Sequence, residues 1–222
     1  AGGEGQAEND EQGENDKAIA SYKAALALKP DYAEVQYNLG NALHALAQYD
    51  QACASYETAL ALNPDHADAH NNLGNVLQES GNPARALGHY ERAIALRPDF
   101  AAAYNNLGTA MQELGRLAEA VENHRKAIRI KPDYAAAHSN LLFTLNYVPG
   151  ANPADIYKEH LEFSRRHEKP LAPSLAPHSK NCADSRRLRV GYVSADFRRH
   201  SVAYFVEPVL AHAVKLLRDE NP

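Results

Sequence analysis

Four asparagines, Asn38, Asn72, Asn106 and Asn140, recur at intervals of 34 residues, and Asn41 and Asn75 form a second row one turn further on. A carboxamide carries two N–H donors and a carbonyl acceptor, so it can meet both halves of a peptide group. A regular column of such amides has the chemistry to hold an extended polypeptide by its backbone. The same groups can also bond neighbouring turns of their own chain. Histidine is abundant too, at 11 residues, but its positions do not suit a metal. His70 and His138 stand where Tyr104 stands one interval away, and His124 stands where Tyr22, Tyr56 and Tyr90 do. These are packing positions. With no Cys/His cluster at ligand spacing, no metal is expected.

The intervals belong to a larger pattern. Residues 33–66, 67–100 and 101–134 are three consecutive copies of one unit. Leu39, Leu73 and Leu107 recur in register, as do Gly40, Gly74 and Gly108. Further along each unit come Ala52, Ala86 and Ala120, then Ala59, Ala93 and Ala127, then Pro64, Pro98 and Pro132. A period near 34 with this Leu-Gly…Ala…Ala…Pro skeleton is the tetratricopeptide (TPR) signature. Each unit is expected to be two antiparallel helices, A and B. The glycine lets the helices approach, and the proline ends helix B by removing a donor and restricting the residue before it. One hairpin cannot bury its apolar face alone, so the units must stack into a solenoid, whose concave face would carry the Asn rows.

The fold class implied is an all-α TPR solenoid followed by a truncated α/β start. Residues 1–12, Gly- and acid-rich, are expected to be a disordered leader. Residues 13–148 form the solenoid: a half repeat matching at Ala18, Tyr22, Ala25 and Pro30, the three full repeats, and a final helix A from Ala135. The layout expected over 14–146 is seven helices: a B helix, three A/B pairs and an A helix. The turn between helices holds Gly81 and Gly115 but Ala47 in the first repeat, which is strained if that place needs positive φ. Asn82-Pro83 has the residues of an N-cap and first helical position. Residues 149–168 read as a closing helix capped at Asn152, with Ile156, Tyr157, Leu161 and Phe163 available to pack on the last repeat. Residues 169–187 are a Pro- and Ser-containing linker. Residues 188–222 read as a first strand, a loop and a helix of a doubly wound lobe.

Charge and cysteine usage narrow the classes further. The net charge is −5, and residues 1–16 contribute six acids and no base. That leaves no concentrated basic face of the kind a nucleic-acid binder presents. No apolar run is long enough to cross a membrane, and no signal peptide opens the chain. Cys53 and Cys182 are too few for a disulfide scaffold, which fits a reducing, cytoplasmic setting.

TPR units followed by HSNLLFTLNY, a Pro-rich linker and LRVGYVSADFRRHSVAYFVEPVL resemble the O-GlcNAc transferase/SPINDLY family of glycosyltransferases, nearer the SPINDLY-like branch at HSVAYF. That resemblance implies an inverting, metal-independent transfer of sugar from UDP-GlcNAc or GDP-fucose to Ser or Thr of proteins. It implies that His200 is the active-site histidine, with Asp196 and Phe197 beside it, and that the Asn column contacts substrate backbone. Only the first step of the first catalytic lobe matches, so the chain is expected to be a substrate-recruiting, non-catalytic part that binds no donor itself. The alternative is a TPR adaptor that binds peptides without chemistry. The chaperone-type carboxylate clamp is not available to it: Tyr37, Asn71 and Asn105, then Ala45, Glu79 and Glu113, stand where that clamp needs lysine.

Overall fold

The computed structural model describes residues 4–168, all within one compact unit of the chain. Every regular element among them is helical: α1 (Glu4–Leu28), α2 (Ala33–Ala45), α3 (Tyr49–Leu62), α4 (Ala67–Glu79), α5 (Pro83–Leu96), α6 (Ala101–Glu113), α7 (Leu117–Ile130), α8 (Ala135–Leu145) and α9 (Pro153–Phe163). A π-helical turn, Ser164–Glu168, extends α9. Helices α2, α4, α6 and α8 are A helices; α1, α3, α5 and α7 are B helices. The order matches the expected one, but it makes eight helices up to α8, not seven. Pro30, Pro64, Pro98 and Pro132 each stand two residues past a B-helix end. The strand and helix expected over 188–222 lie outside the described residues.

Each A helix locks onto its own B helix through one aromatic ring. Tyr56, Tyr90 and His124 are completely buried, and each ring packs directly against the glycine of the preceding helix. A Cβ on Gly40, Gly74 or Gly108 would sit 2.7, 2.6 or 2.8 Å from ring atoms of Tyr56, Tyr90 or His124. The glycine is therefore needed for a ring, where backbone approach was expected. In α8 the same place holds Leu142, which is itself buried. Ala52, Ala86, Ala120, Ala59, Ala93 and Ala127 have no exposed surface and let the B helices close on their neighbours.

The turns between A and B adopt positive φ at Ala47 (53°), Gly81 (82°) and Gly115 (75°). Ala47 thus carries the left-handed strain its position implied, of about 1–2 kcal/mol. Two expectations need correction. Residues 1–12 are not a disordered leader throughout, because α1 is already helical from Glu4. Once the B helix beyond Gly13 is nucleated, each added Ala, Glu or Gln gains a backbone bond without a new nucleation cost. Asn82 is the N-cap of α5 and Pro83 its first residue, as expected, although the Asn82 amide donates to Ser80 O at 3.2 Å and makes no side-chain cap. On α9, Ile156 packs beside Val121, Leu141 and Leu145, and Phe163 meets His138 edge-on at 5.3 Å. Tyr157 and Leu161 do not pack; they are 63% and 52% exposed. They lie about 100–140° around the helix from the stripe that Ile156 and Phe163 share.

Candidate functional site

The Asn rows lie on the A helices, and the structure shows what their amides bond. Asn72 Nδ2 donates to Asn41 Oδ1 (3.0 Å) and to Tyr37 Oη (3.2 Å), both on the A helix before it. Asn106 Nδ2 repeats the arrangement one unit on, donating to Asn75 Oδ1 (2.9 Å) and Asn71 Oδ1 (3.1 Å). Asn140 Nδ2 donates to Asn105 Oδ1 (3.0 Å). The column is thus a chain of rungs from each A helix back to the previous one. Neighbouring amides add to it: Asn71 Nδ2 donates to Asn72 Oδ1 at 3.1 Å.

The second row, Asn41 and Asn75, ties these rungs to the B helices. Tyr56 Oη donates to Asn41 Oδ1 at 2.7 Å, and Tyr90 Oη to Asn75 Oδ1 at 2.9 Å. The third unit departs in two coupled ways. Thr109 replaces the asparagine and His124 replaces the tyrosine, so His124 Nδ1 bonds Asn105 Oδ1 instead, at 3.2 Å. That oxygen also accepts from Asn140, which has one rung bond where Asn72 and Asn106 have two, since Thr109 brings no amide oxygen to the place of Asn41 and Asn75. Asn71 and Asn105, at the fifth place, are buried members of this network that sequence reading treated only as non-lysines. Their pairing with the sixth-place Asn of the next unit, 35 residues on, was the available signal. Asn38 makes no such bond to a described residue.

The rungs leave the Asn rows half-buried, with their outer edges facing an open cleft. Between α4 and α6 this cleft is about 300 Å3, lined by Asn75, Gln78, Glu79, Asn106, Thr109 and Glu113. A wider hollow of about 410 Å3 lies at the helix turns around Ala47, Gln48 and Ser80, away from the rows. Gln78 Nε2 donates to Glu113 Oε1 at 2.6 Å, and His44 Nε2 lies 2.8 Å from Glu79 Oε2. Burial first, then the carboxylates Glu113 and Glu79, push the Tyr90 hydroxyl well above the ordinary phenol range. The cleft is polar and negative, with the carboxylates of Glu79 and Glu113 on its rim.

His124 and His138 behave as packing residues. His124 is fully buried and His138 nearly so. Burial holds the His124 imidazole down to about 4, so it is neutral near pH 7. With Asn105 Oδ1 as acceptor, His124 Nδ1 must carry the proton. His138 Nδ1 lies 3.2 Å from His167 Nε2 on the closing turn. His138 is lowered by burial and then by His167. Among the described residues no group of three or more His, Cys, Asp and Glu is placed to hold a metal. No described helix is long and apolar enough to cross a membrane. His200 and Asp196 lie outside the described residues.

Comparison with known proteins agrees with this geometry. Tetratricopeptide-repeat models match residues 31–99 and 72–135, and a TPR-repeat model matches 11–47. Over 71 residues the chain is 37% identical to a tomato (Solanum lycopersicum) protein described as probable UDP-N-acetylglucosamine–peptide N-acetylglucosaminyltransferase SPINDLY. It is 39% identical over 71 residues to the barley (Hordeum vulgare) protein of the same description. These matches take in 32% of this chain but only 8% and 7% of those proteins. Among solved structures, MamA superposes with a TM-score of 0.68 at 26% identity, over 72% of this chain and 92% of MamA. YrrB, described as a TPR protein with an unusual peptide-binding site, superposes at 0.61 and 25% identity over 73% of this chain and 85% of YrrB. The chain accordingly carries tetratricopeptide repeats, and its TPR region is SPINDLY-like.

Proposed function

We propose that the repeats are the substrate-recruiting part of a protein O-glycosyltransferase and hold an extended client segment along the A-helix face. The observation that carries this is the cleft between α4 and α6, whose polar groups are only partly consumed by the rungs. Both Nδ2 hydrogens of Asn106 are used, but its Oδ1 takes only one long bond, 3.4 Å from Asn105 Nδ2. Among the described residues, Asn140 keeps one N–H and Asn38 its whole amide free. Spare acceptors and donors at one-repeat intervals suit the alternating N–H and C=O of an extended peptide. Each such bond contributes only about 0.5–1.5 kcal/mol, so useful affinity needs several together. The sugar donor, UDP-GlcNAc or GDP-fucose, and the roles of His200 and Asp196 rest on the resemblance of residues 188–210 to the transferases.

YrrB's description supports a second reading, a peptide-binding adaptor without chemistry. Both readings use the same face, and one experiment tests that face. A fluorescein-labelled decapeptide rich in Ser and Thr is titrated with the protein and followed by anisotropy. Thr109→Trp, which fills the cleft between α4 and α6, is expected to lose saturable binding while retaining the wild-type helical circular dichroism. Equal binding by this variant would remove the A-helix face from the account.

A further inference from the structure

The charges on this array are segregated. Not one of the four A helices contains lysine or arginine. Arg85, Arg92, Arg125, Lys126 and Arg129 all belong to the B helices. The A helices do carry acids, at Glu34, Asp68, Glu79 and Glu113. Asp68 is held by the Arg97 guanidinium, and Glu34 lies 3.8 Å from His66. Glu79 and Glu113 face only neutral or weakly basic partners, His44 and Gln78. Both remain exposed on the rim of the cleft.

These two carboxylates occupy the same place in consecutive repeats, and the next residue in that row is Tyr147. Tyr147 is 60% exposed and its ring lies 5.0 Å from Phe143, itself 53% exposed. Phe143 continues the row of Asn41, Asn75 and Thr109. One face therefore runs from two carboxylates with no lysine or arginine partner among the described residues to an open aromatic pair.

Deepening the proposed peptide-binding role, and resting on it, we propose that this face selects an extended segment carrying two cationic side chains followed by an aromatic one, at intervals of about three residues. The interval follows from geometry. Packed helices stand about 8–10 Å apart, and an extended chain in the polyproline-II form rises about 3.1 Å per residue and returns a side chain to the same face every three residues. Successive A helices therefore meet every third side chain. Arginine in the first two positions would pair with Glu79 and Glu113, and the aromatic residue would stack on Phe143 and Tyr147. Arginine also finds the exposed tyrosine face favourable, so either order of contact keeps the preference for cations.

The test uses three labelled peptides with the full chain at about 50 mM salt, where the Debye length exceeds the spacing of the groups. The first is Gly-Ser-Arg-Ser-Ser-Arg-Ser-Ser-Phe-Ser-Gly. The second has glutamate for both arginines. The third has the same composition as the first with the arginines adjacent. The first should bind tighter than the second by at least about fivefold, the middle of the range for two exposed ion pairs taken together. It should also bind tighter than the third. Glu79→Gln with Glu113→Gln should abolish the preference, and Tyr147→Ala should weaken the first peptide. Equal affinity for the arginine and glutamate peptides, or a preference that survives the double variant, overturns the charge selection. If all three bind equally but Thr109→Trp binds none, the peptide-binding face stands and only the selectivity fails. If Thr109→Trp binds as wild type, the face itself is wrong and this proposal falls with it.

Discussion

At the scale of single residues, His124 is where the third repeat differs most from its neighbours. A tyrosine here would keep its hydroxyl paired with an asparagine, as Tyr56 and Tyr90 do. The imidazole instead leaves Nε2 buried without a partner among the described residues. Its pKa falls from 6.5 to about 4 through burial. In the unfolded chain the ring takes up a proton as pH drops below about 6.5, while the folded protein resists until about 4. Stability is thus fully present above 6.5 and is lost as pH falls through that window, by at most about 3 kcal/mol. The double variant His124→Tyr with Thr109→Asn rebuilds the Tyr90–Asn75 pair. Urea denaturation at pH 7.5 and pH 4.5 should show a smaller acid loss for it than for wild type. Some loss should remain, because burial also lowers His70, His89 and His138. An unchanged pH dependence would mean His124 titrates normally.

At the scale of elements, the Asn rungs bind one A helix to the next. Replacing Asn72 and Asn106 by alanine removes four donated bonds and leaves Tyr37 Oη and Asn71 Oδ1 short of a partner. With each net bond worth about 0.5–1.5 kcal/mol, the pair should cost about 2–6 kcal/mol of unfolding free energy. Asn38→Ala should cost less than about 0.5 kcal/mol, as expected for a half-exposed side chain away from such a network. Thermal and urea unfolding of the three proteins checks this. Equal stabilities for Asn38→Ala and the double variant would deny the rungs a structural role. The double variant also bears on function: peptide binding lost in step with stability would make the column a scaffold for the groove, not its contact surface.

At the scale of the array, contacts reach only the adjacent helices and the next helix of the same kind. Stability in such a stack is a sum of repeat and neighbour terms, with no long-range closure to hold a weakened centre. Gly74→Ala puts a methyl carbon 2.6 Å from the buried Tyr90 ring, in the central repeat. Overpacking of this kind costs about 1–3 kcal/mol. The expected outcome is a lower and broader melting curve that resolves into two transitions as the halves uncouple. A single sharp transition at the wild-type midpoint would contradict nearest-neighbour coupling.

Sequence alone determined the architecture of the repeats because a 34-residue period with prolines at helix B ends leaves few other ways to bury the apolar positions. Pro30, Pro64, Pro98 and Pro132 mark the B-helix ends, and the strain at Ala47 followed from Gly81 and Gly115 in register. The same register placed the Asn rows on one face of the A helices. What each amide bonds was decided by tertiary structure. Whether Asn72 faces a ligand or Asn41 depends on the stagger between stacked helices, which no local propensity encodes. The role of Gly40, Gly74 and Gly108 likewise needed the rings of Tyr56, Tyr90 and His124, 16 residues away in each case, to be seen against them. On α9, Tyr157 and Leu161 had the right polarity for a core, but the angle at which the helix docks gave that contact to Ile156 and Phe163.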